Sequence, residues 1–229
     1  MENVPNNEGK YYEDLQKFVI ESKAETWKKV MTFPKYIDRQ HLSVFLARYE
    51  IFKKIVNIHG SVIEFGTWGG NALMTWAQCS AILEPYNYVR KIIGFNLSPR
   101  KYQDSELHEL IALYDRNRPI GHVKKVEVLE GSATTILPKY IKGNPHLIVS
   151  LLHIDYDLLL PDFDLYEPTV AAIKHFVPLM PKGGIIMFDE LNSPRRKGES
   201  MAVAEKLGIS SLKLERIPFE PKFSYAVIE

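Results

Sequence analysis

The spacing of hydrophobic residues predicts helices first, and then strands that alternate with helices. After a polar segment at residues 1–10 that we expect to be disordered, Tyr11 to Val30 predicts one or two short helices. Apolar residues between Gln40 and Asn57 recur at helical spacing, which indicates an amphipathic helix. The predicted strands that follow are 62–65, 91–96, 123–129, 147–156, 184–188, 212–216 and 224–228, and the helices between them are 72–83, 103–116, 133–142, 167–177 and 199–207.

This alternation predicts an α/β fold with a mostly parallel sheet of about seven strands and helices on both faces. We expect residues 1–57 to form an N-terminal tail and helical extension that covers the site as a lid. Residues 58–229 are expected to form a single compact α/β domain. In such sheets ligands bind beyond the carboxyl ends of the strands, so the residues at those ends are the first to consider.

Composition narrows the classes of function. The chain has 229 residues and a formal net charge of +1, so nothing indicates nucleic acid or a membrane surface as the main partner. The single cysteine, Cys79, cannot form a disulfide framework and is expected to be a small buried hydrophobic residue. The N-terminus does not resemble a signal peptide, and no apolar run reaches the length of a membrane span. We therefore expect a cytoplasmic protein.

The first predicted strand ends in a glycine-rich turn that carries an acid. Glu64 precedes Gly66, and Gly69 and Gly70 open the next helix. Glycine lets a ligand approach the backbone closely, and a helix N-terminus offers free N–H groups. The three glycines do not have the G-x-G-x-x-G spacing of dinucleotide sites, and the acid suits a cationic ligand such as S-adenosylmethionine (SAM). The alternative is an ordinary strand-to-helix turn.

Carboxylates follow two neighbouring strands. The fourth strand ends in Asp155 and Asp157, and the fifth ends in Asp189 and Glu190. Acids brought together at one sheet edge would repel each other, and a bound cation resolves this repulsion. Oxygen ligands favour magnesium, calcium or manganese over zinc. The alternative is that these acids cap helices or pair with the basic run 195–197.

Four stretches stand out together by their order and spacing: 62–70, 151–157, 165–169 and 181–190. They resemble the macrocin-type (TylF-like) O-methyltransferases, which modify sugar hydroxyls in natural product biosynthesis and depend on SAM and a metal ion. Residues 45–54 and 84–95 also fit one branch of that family. The resemblance covers residues 40–205 and implies a class I SAM methyltransferase-like Rossmann fold and an oligomer, such as a dimer.

The resemblance also implies roles for particular residues. The methionine portion of SAM would lie against Glu64, Gly66, Thr67, Trp68, Gly69 and Gly70. Asp155 would also contact the cofactor. Asp155, Asp189 and Glu190 would match the metal ligands, although the family more often has aspartate at the Glu190 position. A divalent ion such as Mg²⁺ would lower the pKa of the sugar hydroxyl and orient it for in-line methyl transfer. Asp155 or Asp157 would then accept the proton.

Three features depart from the family pattern. Asn96 stands where an aspartate usually binds the ribose hydroxyls of SAM, and Ser132 replaces the aspartate beside the adenine. Together they would weaken cofactor binding by about 1–3 kcal/mol, roughly one good hydrogen bond each. Asp162 and Asp164 repeat the Asp-x-Asp pattern of Asp155 and Asp157, so either pair could face the metal. We favour Asp155 as the ligand because it directly ends a buried strand, whereas Pro161 places the second pair in a loop.

Three functions are compatible with the sequence. The first is a magnesium-dependent SAM O-methyltransferase acting on a hydroxyl of a sugar or glycosylated metabolite. The second, favoured by Asn96 and Ser132, is an altered relative that binds another ligand or a protein partner. The third is a nicotinamide-dependent oxidoreductase or epimerase, which lacks its glycine fingerprint here. His153 is expected to be a hydrogen-bonded core residue or a support for the metal ligands rather than a base.

Overall fold

The expected alternation of strands and helices is present in the structure, a computed structural model that describes residues 7–67, 69–97, 105–155, 165–194 and 196–229. Eight α-helices and seven strands lie in these ranges. The helices are α1 Asn7–Glu21, α2 Thr26–Met31, α3 Arg39–Ile55, α4 Asn71–Leu83, α5 Ser105–Arg116, α6 Ala133–Gly143, α7 Tyr166–Phe176 and α8 Lys197–Lys206. The strands are β1 Ser61–Phe65, β2 Ile92–Asn96, β3 Val126–Glu130, β4 Val149–Ile154, β5 Ile185–Phe188, β6 Leu214–Ile217 and β7 Glu220–Val227.

The seven strands form one sheet in the order β3-β2-β1-β4-β5-β7-β6. The first five run parallel to one another, and β7 is antiparallel to both β5 and β6. The chain builds outward from β1 to β3 and then returns to place β4 on the other side of β1. This switch point lies between β1 and β4, and ligands of open α/β sheets bind beyond the strand ends at such a point.

The two faces of the sheet differ in the side chains that they bury. Along β1, Ile63 and Phe65 face a large apolar cluster that includes Phe95 and Phe176. Because side chains alternate along a strand, Glu64 faces the other side. Glu64 therefore lies outside this apolar cluster.

The chain divides into two compact units, Met1–Val44 and Phe45–Glu229, and the division falls within α3. In the first unit the helix α1 begins at Asn7, so the expectation of disorder over 1–10 was wrong for residues 7–10. Polarity was taken there as a sign of disorder, but residues 7–21 contain no proline and many helix-favouring residues. Asp38 starts α3 by accepting a hydrogen bond from the backbone N–H of His41 (2.8 Å).

Cys79 is 1% exposed in α4, and burial raises the pKa of its thiol to about 12. The expected small buried hydrophobic role is confirmed, since such a thiol stays protonated and unreactive. None of the helices in the described ranges has both the length and the apolarity that crossing a membrane requires.

Candidate active site

The glycine turn after β1 is shaped by two backbone hydrogen bonds and two left-handed glycines. The N–H groups of Gly66 and Thr67 donate to the carbonyl of Phe95 (2.9 and 3.1 Å). Gly69 and Gly70 have φ of 50° and 73°, a region that favours glycine, and Gly70 is the N-cap of α4. A Cβ on Gly69 would meet no heavy atom within 4 Å. The backbone at Gly69 is therefore open to a ligand; Trp68 lies outside the described residues.

Two buried polar atoms beside this turn lack hydrogen-bond partners in the described ranges. Glu64 is 1% exposed and Thr67 is 2% exposed. Glu64 Oε2 and Thr67 Oγ1 have no hydrogen-bond partner among the described residues. Leaving such atoms unsatisfied is costly, so each instance calls for an explanation. A bound molecule that carries a cationic donor would satisfy the carboxylate, which fits the ammonium group of SAM.

Asn96 and Ser132 lie at the ends of the two outer parallel strands, as expected. Asn96 is half-buried at the end of β2, and its backbone carbonyl accepts a hydrogen bond from Gly131 N–H (3.0 Å). Ser132 is the N-cap of α6, and its hydroxyl lies 2.8 Å from Thr134 Oγ1. The two residues thus stand at the same sheet edge as the glycine turn.

A second group of polar side chains lies at the carboxyl ends of β4 and β5. One ligand atom from each of His153, Asp155 and Asp189 lies within 4.8 Å of the other two. Asp155 is placed by its backbone N–H, which donates to the carbonyl of Phe65 at the end of β1 (3.0 Å). Glu190 is not part of this group. Asp157, Asp162 and Asp164, which were also considered from the sequence, lie outside the described residues.

The charges in this group shift the pKa values of its members in different directions. Burial raises the pKa of Asp155 well above its usual value, and the charge of Asp189 raises it further. Burial would also raise the pKa of Asp189, but the neighbouring His153 holds it below its usual value. Burial would lower the pKa of His153, yet the charge of Asp189 raises it to about 10. The two carboxyls are oxygen ligands of the kind that a hard divalent cation prefers, and the imidazole supports one of them through its hydrogen bond to Asp189.

Arg48 on α3 is a site residue that the sequence reasoning missed. Its Nη2 atom lies 3.2 Å from Asp155 Oδ2, and the residue is 5% exposed. Its guanidinium also lies 5.6 Å from the centre of the Phe223 ring. The sequence did contain a clue to this role. Helical spacing places Arg48 on the same apolar face as Phe45, Phe52 and Ile55, and a charged residue on a buried face needs a partner.

Glu199 on α8 was also missed. It is fully buried, and its Oε2 atom accepts a hydrogen bond from the backbone N–H of Glu190 (2.7 Å). Burial and the charge of Asp189 raise the pKa of its carboxyl well above its usual value. The contact fixes the backbone directly after Asp189. The signal in the sequence was an acid three and four residues before the buried pair Ala202 and Val203, and hence on the same helix face.

No protein-family model and no curated protein matches this chain. Among solved structures, it is similar to CalS11, described as a TDP-rhamnose 3'-O-methyltransferase of calicheamicin biosynthesis. The two are 28% identical with a TM-score of 0.89, over 98% of this chain and 96% of CalS11. The resemblance to the macrocin-type sugar O-methyltransferases is confirmed. The expected enzyme class, a SAM-dependent O-methyltransferase, is confirmed with it.

Two further neighbours bear on the fold alone. The O-methyltransferase NovP is 17% identical with a TM-score of 0.54, over 80% of this chain and 78% of NovP. An O-methyltransferase from Bacillus cereus, solved with SAH, is 14% identical with a TM-score of 0.54, over 93% of this chain and 96% of its own. They confirm the class I SAM methyltransferase fold that a macrocin-type enzyme requires. The individual site residues stay predictions.

Proposed function

We propose that this protein is a divalent-cation-dependent enzyme that transfers the methyl group of SAM to a hydroxyl of a nucleotide-linked or otherwise glycosidically bound deoxysugar. The observation that carries the proposal is the similarity to CalS11 over 98% of the chain, because CalS11 is described as acting on TDP-rhamnose. The carboxyl edge of the sheet supports it, since unpaired buried polar atoms and a mixed carboxylate–imidazole group lie there together.

SAM would bind beyond β1, β2 and β3. Its ammonium group would pair with Glu64, and its methionine carboxylate would approach the open backbone at Gly69 and the N-terminus of α4. Thr67 Oγ1 is buried and has no hydrogen-bond partner among the described residues, so it is available to hydrogen-bond the methionine portion of SAM. Asn96 would accept one hydrogen bond from the ribose, and Ser132 would lie beside the adenine. The SAH bound to the Bacillus cereus neighbour supports this choice of cofactor.

Asp155 and Asp189 would hold the cation, and Glu190 stays a weaker candidate ligand because it lies outside their group. A bound Mg²⁺ or Mn²⁺ would lower the pKa of the sugar hydroxyl and hold its oxygen in a fixed orientation. A carboxylate of the site would take the hydroxyl proton when the methyl group is transferred from the sulfur of SAM to the hydroxyl oxygen. Asp155 is the candidate for that role in the described part of the chain, and Asp157 remains the candidate from the sequence.

We also propose that the protein is a homo-oligomer that works in the cytoplasm. The first unit supports self-association because Asp38 is the only buried residue in 9–44. Large apolar side chains are instead exposed there, among them Phe18 (57%), Trp27 (70%) and Met31 (67%). Apolar surface of this kind marks interaction sites. Sedimentation equilibrium should give a dimer or larger, and a monomer at high micromolar concentration would disprove the assembly.

The decisive test of the function is calorimetric titration with SAM, with and without MgCl₂, followed by methyl-transfer assays on nucleotide-linked deoxysugars. We expect micromolar binding of SAM and turnover that EDTA abolishes. If SAM does not bind at millimolar concentration, the protein is the altered relative that Asn96 and Ser132 suggest. If SAM binds and no sugar is methylated, the acceptor class is wrong.

Asn96→Asp should tighten SAM binding roughly five- to thirtyfold, because a carboxylate accepts from both ribose hydroxyls and a charged acceptor adds about 1–2 kcal/mol. Asn96→Ala is the matched control and should weaken binding. Calorimetry of the two variants beside the unaltered protein checks the assignment. Equal affinities in all three would show that Asn96 does not contact the cofactor.

A further inference from the structure

His153 lies in the middle of the sheet, between the two halves of the proposed active site. It is fully buried in β4, where its register partners are Glu64 on β1 and Met187 on β5. Side chains two residues apart on a strand share a face, so Asp155 and Asp189 lie on the same side of the sheet as His153 and Glu64. The imidazole is therefore flanked by the acid proposed for SAM and the acids proposed for the cation.

The ring lies between two aromatic side chains, with one nitrogen hydrogen-bonded to an acid and the other near a second acid. Trp76 and Phe223 contact it edge-on, with ring centres 5.4 and 6.3 Å away. Nε2 lies 2.9 Å from Asp189 Oδ1, which is a hydrogen bond. Nδ1 points at Glu64 Oε2 across 3.9 Å, and neither of these two atoms has a hydrogen-bond partner in the described part of the chain.

We propose that His153 is a positioning residue that couples the cofactor site to the cation site through its two ring nitrogens. Nε2–H fixes the Oδ1 atom of Asp189 and leaves its other oxygen for the cation. Nδ1 faces Glu64, so an ammonium group bound at Glu64 changes the electrostatic attraction between the Glu64 carboxylate and the imidazole ring. This change in turn alters the hydrogen bond from the ring to Asp189. Occupancy of one site thus alters the affinity of the other, which is reciprocal by linkage. This inference rests on the proposed function, which assigns the two sites.

The two nitrogens can be tested separately with amide side chains. His153→Gln keeps a donor near the Nε2 position and loses the atom that faces Glu64, whereas His153→Asn keeps the position of Nδ1 and loses the donor to Asp189. The measurement is the dissociation constant of Mn²⁺ with and without saturating SAM. Far-UV circular dichroism and thermal melting confirm that each variant is folded.

We expect saturating SAM to change the Mn²⁺ dissociation constant of the unaltered protein roughly fivefold or more, the usual size of such coupling. In His153→Gln that change should fall below about twofold while Mn²⁺ alone binds within about threefold of normal. In His153→Asn, Mn²⁺ should bind roughly tenfold or more weakly, as expected when a supporting hydrogen bond to a ligand is lost. Retention of the full SAM effect in His153→Gln, or normal Mn²⁺ binding in His153→Asn, would overturn the proposal.

A double-mutant cycle makes the test independent of SAM. Glu64→Gln removes the charge that faces Nδ1 without touching Asp189. It should shift Mn²⁺ affinity roughly fivefold in the unaltered background and clearly less in the His153→Gln background, so that the two substitutions are not additive. Equal shifts in both backgrounds refute the coupling even if SAM proves not to be the ligand. Normal SAM binding and turnover without any coupling refute this inference and leave the proposed function intact.

Discussion

Asp189→Asn is expected to reduce methyl transfer by about 100-fold or more, because activation of a hydroxyl by a bound cation supplies several kcal/mol. Asparagine keeps the shape of the side chain and an oxygen that can still accept the hydrogen bond from His153 Nε2. It has no charge for a divalent cation, so binding of Mn²⁺ should be lost, while SAM titrated into both proteins without a divalent cation should bind within a few fold of normal. Steady-state kinetics with MgCl₂ and titration with Mn²⁺ measure both effects.

Glu190→Gln is the matched control for this substitution, since it removes a neighbouring charge from the same strand end. Glu190 lies outside the group formed by His153, Asp155 and Asp189, so its loss should cost clearly less than the loss of Asp189. A loss as large as that of Asp189→Asn would restore Glu190 as a ligand, as the family resemblance implied. Unchanged turnover in Asp189→Asn would refute the cation site.

Arg48→Met is expected to lower the free energy of unfolding by about 2–3 kcal/mol, somewhat below the cost of breaking a fully buried ion pair. Its side chain is 6% exposed and that of its partner Asp155 is 20% exposed. Methionine fills a similar volume but removes the guanidinium that pairs with Asp155. The carboxyl of Asp155 is then left beside a second acid, Asp189, without a positive partner from α3. Urea denaturation gives the change directly, and the midpoint of thermal unfolding should fall with it.

Lys53→Met on the same helix is the control, because Lys53 pairs with Glu50 at 2.8 Å but is 43% exposed. Exposed pairs contribute little, so this change should stay within about 0.5 kcal/mol. The double variant Arg48→Met with Asp155→Asn should recover part of the loss, since the unpaired carboxyl is then gone. If the costs of the two single changes simply add, Arg48 does not stabilise Asp155.

Much of the fold could be predicted from hydrophobic periodicity. The amphipathic pattern of 40–57 and the helix α3 differ by only a few residues at their ends, and each predicted strand has a counterpart in the sheet. Boundaries were less accurate: the predicted strand 147–156 is six residues long in the structure, Val149–Ile154. The ends of a strand depend on where its neighbours pair with it, which the pattern along one segment does not record.

The residues that stand at the strand ends could be recognised without the structure. Glu64, Asp155 and Asp189 each follow or end an apolar run, and parallel strands bring their carboxyl ends to one edge, so their proximity could be inferred. The partners of these residues, in contrast, are known from the folded chain alone. Arg48 and Asp155 are 107 residues apart, and His153 and Asp189 are 36 apart. These pairs depend on the order of strands in the sheet and on the face that α3 presents to it. Those arrangements minimise the free energy of the whole chain, so no local pattern specifies them.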